Sequence, residues 1–141
     1  MKYNNIFFYG RIQYGQTLYL EEQCDIMLAI YDPSVENHVF AAPNKFYEAL
    51  FLGKPLIMVG GTGMSNIVSE YKLGATIDYS KEGFIDGLNK LKSVDFDRTS
   101  IVAKELYNKY FSWKIMQERL IELYYVLIDG GKNDFNNNNK L

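Results

Sequence analysis

Four short apolar runs punctuate the first part of the chain, and a helix-breaking turn follows each of the first three. They are Ile6–Tyr9 before Gly10, Asp25–Tyr31 before Asp32-Pro33-Ser34, Leu56–Val59 before Gly60-Gly61-Thr62-Gly63, and Ala75–Asp78. Runs of four to seven residues bounded by such turns read as buried strands rather than helices. Helix-compatible segments separate them. One covers 15–23, a second opens at Pro43-Asn44 and ends at Gly53, and a third follows the glycine-rich turn through Tyr71, with Gly74 closing it. Proline suits a first helical turn, asparagine caps it, and glycine terminates it. Ser34–Ala42 reads as a polar loop.

Strands that alternate with helices in this way require a mostly parallel sheet covered on both faces. Ligands of such sheets bind outside the carboxyl ends of the strands. The loops after Tyr9, Tyr31, Val59 and Asp78 are therefore the places to look for chemistry. Beyond residue 81 only helices are needed, over 82–92, 98–110 and 113–128. The last carries Trp113, Met116, Leu120, Leu123 and Leu127 at spacings of three and four, a buried or docking face. The stretch 130–141 is an Asn-rich tail that cannot build a core, leaving 1–129 as one domain.

Composition narrows the function classes. A net charge of -2, with Lys and Arg spread along the chain, argues against a nucleic-acid partner, which needs a concentrated basic face. One cysteine, Cys24, allows no disulfide framework within the chain and reads as a small core residue. With one Cys and one His, no zinc site can be assembled from those residues. No apolar run reaches the roughly 18 residues of a membrane span, and the N-terminus carries no secretory signal. These features point to the cytoplasm, with peripheral association at the inner face of the membrane left open.

The stretch Ala42 to Pro55 carries the most chemistry. It opens a helix whose free N–H groups and dipole favour an anion such as a diphosphate. Lys45, in the first turn, opposes that dipole unless an anion offsets it. Glu48 lies on the same helical face and suits a ribose diol; the plain alternative is an exposed i,i+3 pair worth roughly 0.2–0.5 kcal/mol. Gly60-Gly61-Thr62-Gly63 lacks the third glycine of a dinucleotide loop, where Asn66 stands, and reads as a flexible loop or a plain turn. His38, the single histidine, borders the same region as a proton donor or an ordinary loop residue. Tyr9 and Tyr31 could stack on a base.

The segment Pro43-Asn44-Lys45-x-Tyr47-Glu48-Ala49-Leu50-x-x-Gly53-Lys54-Pro55-Leu56-Ile57 resembles one found in bacterial and archaeal glycosyltransferases of the large retaining GT-B group, family 4-like. Phe7-Phe8-Tyr9-Gly10-Arg11-Ile12, Asp25 to Ser34 and Phe111-Ser112-Trp113 resemble further elements of that family, in the same order, so that the likeness spans about residues 5 to 128. The resemblance implies the nucleotide-sugar-binding half of a GT-B enzyme: a partial Rossmann-like parallel sheet of about four strands flanked by helices. It implies a nucleotide-diphospho-sugar as donor, a cell-surface polysaccharide or glycolipid hydroxyl as acceptor, and no metal or other cofactor. Glu48 matches the second glutamate of the family's Glu-x7-Glu motif, which holds the ribose; the first should stand at position 40, which is Phe40. Pro43, Asn44 and Lys45 would lie near phosphate or sugar, and Gly10 and Arg11 near the nucleotide.

Two strand-helix units and an acceptor domain that precede this region in the family have no counterpart here, so the chain is expected to be inactive alone. An alternative is a non-catalytic interaction module or split subunit that pairs with a chain supplying the missing half. A sugar-nucleotide epimerase shares the architecture but needs acid/base residues not found here. In the family, two further strands would separate Ile6–Tyr9 from the strand at Asp25–Tyr31. Three outcomes are then expected: the first run moves beside the second, a partner fills the gap, or the N-terminus packs poorly.

Overall fold

A computed structural model describes residues 3–129. The sheet has three parallel strands, β1 (Met27–Ala29), β2 (Leu56–Val59) and β3 (Gly74–Ile77), in the order β1-β2-β3. Met27 aligns with Leu56 and Leu56 with Gly74, so the strands start level. The helices are α1 (Tyr14–Glu22), α2 (Glu36–Phe40), α3 (Asn44–Leu52), α4 (Ser65–Glu70), α5 (Lys81–Leu91), α6 (Phe96–Leu106) and α7 (Trp113–Asp129). A π-helical turn, Tyr107–Phe111, joins α6 to α7.

The central strand explains why the fold closes. Its side chains alternate faces. Leu56 and Met58 pack with Phe46, Ala49 and Leu50 of α3, Val68 of α4, and Ala103 and Leu106 of α6. Ile57 and Val59 face the opposite way, with Ala75, Ile77 and Leu91. Both faces of β2 are thus buried, as a continuous apolar run in a parallel sheet demands. On β1 only Met27 and Ala29 are buried, while Leu28 is 46% exposed.

Several expectations are corrected. The sheet has three strands, because Ile6–Tyr9 forms none: the run is irregular and solvent-exposed, with Phe8 93% accessible. β-propensity alone cannot hold a strand without a neighbour to accept its ladder. Of the three outcomes foreseen for this run, poor packing is the one observed. The polar loop contains the short helix α2, and 98–110 splits where the π-turn begins. Cys24 is exposed rather than in the core, its thiol donating to the Leu20 carbonyl at 3.3 Å. The stripe on α7, read as a buried or docking face, is left open: Trp113, Leu120, Leu123 and Leu127 are all exposed. The Asn-rich tail lies outside the described residues.

Candidate functional site

The start of α3 is set by its neighbours. Pro43 is buried in the N-cap position with φ -70° and ψ 141°, and Gly53 ends the helix in the left-handed conformation at φ +69°. The loop after β2 reaches across to the segment leading into α3. The Gly63 N–H donates to the Val39 carbonyl at 2.9 Å, and the Thr62 hydroxyl donates to the Val59 carbonyl at 2.6 Å. Gly63 has φ +29°, and any Cβ there would run into the Ala41 carbonyl oxygen. Close approach of two backbones accounts for that glycine, with no phosphate loop required. Because α3 leads from β1 to β2, its first turn sits at the carboxyl ends of the strands.

From that turn a cleft of about 350 Å³ runs along the outer flank of α3. Asn44, Tyr47, Glu48 and Phe51 of α3 form one wall, Tyr14 and Leu18 of α1 the other, and Tyr107 closes one side. The aromatic wall is mutually packed: Phe51 lies 5.3 Å from Tyr107, and Tyr47 lies 5.9 Å from Phe111, centroid to centroid. Phe111 also meets the fully buried Phe46 edge-on at 5.6 Å. The motif Phe111-Ser112-Trp113 therefore has a local role. Phe111 anchors the π-turn to α3, and the Ser112 hydroxyl accepts from the Ile115 N–H at 3.4 Å as α7 begins. Trp113 is 72% exposed and contributes no packing there.

The polar end of the cleft is an ionic triad. Glu48 is only 6% exposed, and its Oε2 accepts from Lys45 Nζ at 2.8 Å. Lys45 also donates to Glu21 of α1, which brings a second carboxylate to the same ammonium. One cation thus faces two carboxylates, and the triad carries a formal charge of about -1. Burial by itself would lower the Lys45 ammonium, but hydrogen bonds to Glu21 and Glu48 outweigh it and hold the group above its ordinary value. Desolvation, then the Glu48 carboxylate as neighbour and hydrogen-bond partner, pushes the Tyr14 phenol up. Glu21 Oε2 is buried with no hydrogen-bond partner among the described residues.

The sequence reading puts Lys45 near phosphate or sugar. Its ammonium meets Glu21 and Glu48 in the structure, and the i,i+3 pair with Glu48 is partly buried rather than exposed. No protein family, curated protein or solved structure matches the chain.

Of the residues proposed from sequence, Asn44 and Glu48 line the cleft, Pro43 sets the helix start, and Lys45 orients Glu48. Gly10 and Arg11 are exposed, and neither contributes to the cleft walls. Tyr14, Leu18, Glu21, Phe51 and Tyr107 were not foreseen as site residues. Their separation of 23 or more residues from Asn44 or, for Phe51, the lack of a polar group to mark it hides them from motif reading. His38 is part-buried in α2, with Nδ1 bonded to the Asp32 carbonyl at 2.8 Å and its ring edge-on to Tyr31 at 5.2 Å. A second cleft of about 300 Å³ lies where Ile30 and the residues Ile77–Lys81 and Phe84 meet. Among the described residues no cluster of three His, Cys, Asp or Glu side chains is placed to hold a metal, and no helix is long and apolar enough to cross a membrane.

Proposed function

We propose that the chain is the donor-binding part of a nucleotide-sugar glycosyltransferase, serving transfer to a cell-surface polysaccharide or glycolipid and inactive in isolation. The observation that carries this reading is Glu48: a carboxylate 94% withdrawn from solvent by the complement of its 6% exposure, yet lining an open cleft at the first turns of α3. A buried carboxylate is costly unless it is paired and hydrogen-bonded. Lys45 supplies one such partner, and a ribose diol would supply two more donors in the cleft. The aromatic wall of Tyr47, Phe51 and Tyr107 offers a face on which a flat base can rest.

The charge of the triad refines the expectation taken from sequence. A net negative polar end favours the donor-rich diol and disfavours a diphosphate beside Lys45, which leaves the phosphate to other groups. Titration of UDP and GDP into labelled protein, followed by two-dimensional NMR, tests this. Shifts confined to α3, Tyr14 and Tyr107 are expected, together with their loss in Glu48→Gln. Absence of shifts at millimolar nucleotide, or equal affinity in folded Glu48→Gln, would refute it.

A second reading, a non-catalytic module that pairs with another chain, is favoured by α7. Leu120, Ile121, Leu123, Tyr124, Tyr125, Val126, Leu127 and Ile128 are all at least 44% exposed, so apolar side chains surround the C-terminal half of the helix. A helix apolar on all sides is normally buried. A single sedimenting monomer that binds no apolar dye would remove this reading.

A further inference from the structure

We infer that the run Ile6–Tyr9 is a detachable fourth strand, able to dock in parallel along the free edge of β1 in the same molecule. β1 pairs with β2 on one side, and among the described residues no strand occupies its other side. The Met27 N–H is directed inward, donating to the Pro55 carbonyl at 2.9 Å, so strand alternation turns the Leu28 N–H and carbonyl outward. Along the same edge Leu28 and Ile30 are 46% and 41% exposed. A free edge with apolar side chains is a template for another strand.

The chain itself carries a matching one. Ile6, Phe7, Phe8 and Tyr9 are 66%, 75%, 93% and 62% exposed, an aromatic run of high strand propensity. Its length equals that of β2 and β3. Between Tyr9 and Met27 lie residues 10–26, which comprise α1 and two four-residue connectors, 10–13 and 23–26. Parallel neighbours need a crossover of about a dozen residues or more, commonly one helix with loops of about 2–6 residues. This connection has that form.

Handedness decides which edge the run must take. α3 and α4 connect β1 to β2 and β2 to β3, and both contribute to the same core cluster on one face of the sheet. α1 is tied to α3 through Glu21 and Lys45, which places it on that face too. Parallel crossovers are almost always right-handed, so helices on one face mean that the strands advance in one direction. The strand before α1 therefore falls on the free side of β1, giving the order Ile6–Tyr9, β1, β2, β3. Gly10, at φ +66° with open space around it, is the pivot. Docking would cover Leu28 and Ile30 without disturbing α3 or the cleft.

This inference is independent of the nucleotide reading, because neither strand contributes to the α3 cleft. NMR amide exchange on the dilute, full-length chain is the test. Protection by about tenfold or more over free-peptide rates is expected at Leu28 and at one alternating pair of amides in the run, Ile6 and Phe8 or Phe7 and Tyr9, whichever pair faces β1. In mixtures of differently labelled copies, contacts between 6–9 and 27–30 should arise within one molecule. Phe8→Asp should release Phe8-region and Leu28 amides together, while the amides of Leu56–Val59 and Gly74–Ile77 stay protected and report an intact core. Free-peptide exchange at 6–9, an unchanged Leu28 in Phe8→Asp, or contacts only between different copies would each overturn the proposal.

Discussion

Replacing Lys45 by methionine isolates the energetics of the triad. The substitution keeps most of the side-chain volume and removes the cation that Glu48 and Glu21 share. Removing one partner of a fully buried pair costs about 3–5 kcal/mol, because the other charge is left without compensation. Glu48 is 6% exposed and meets that description, but the Lys45 side chain is 37% exposed and Glu21 is 13% exposed. Solvent access to the lysine discounts the figure by about half, to roughly 1.5–2.5 kcal/mol at pH 7. The sign with pH follows from the lysine. Its folded value is raised, so its contribution is fully present below the unfolded value of about 10.4 and is lost only as pH rises through the folded value. Between pH 4 and pH 8 the wild-type ammonium does not change, so the lysine itself gives the deficit no pH dependence in that range. Urea unfolding of wild type and Lys45→Met at pH 7 and pH 4 reads both quantities. A difference under about 0.5 kcal/mol at pH 7 would show that the triad is a solvated surface pair.

Three further outcomes are expected. Gly63→Ala should destabilise by about 2–4 kcal/mol in urea, since a Cβ meets the Ala41 carbonyl and a positive φ is imposed on alanine; amide exchange at Asn44 and Lys45 should rise with it. Phe46→Ala empties a site with 0% exposure that packs on Phe111 and Tyr47, and should cost about 3–5 kcal/mol by equilibrium unfolding. Asp32 accepts from the Ser34 side chain and backbone N–H, which hold its carboxyl below the ordinary value of 3.8. Its contribution is present above the unfolded value and lost as pH falls through the folded one, so carbon-detected titration should place its midpoint under 3.8, and Ser34→Ala should raise it.

Local chemistry made much of the architecture legible. The run Leu56–Val59 is continuously apolar and bounded by Pro55 and Gly60, and β2 has those bounds. Pro43 and Gly53 fixed both ends of α3, the helix that carries Asn44, Lys45 and Glu48. Each of those inferences needs information only from residues within a turn or two of the feature.

Elsewhere the outcome depended on residues distant in sequence. Ile6–Tyr9 has the composition of a strand, but a strand requires a paired neighbour, and composition does not say whether one is in place. Lys45 was legible as a cation at a helix start; that Glu21 of another helix would neutralise it was not, because their contact spans 24 residues. The cleft likewise joins α1, α3 and the π-turn from three separate stretches of chain. The sequence by itself determined where apolar runs and helix ends fall, since propensity and capping act locally. Only tertiary packing decided which charges meet, which edge stays open and which side chains border the cleft, since those depend on how distant segments come together.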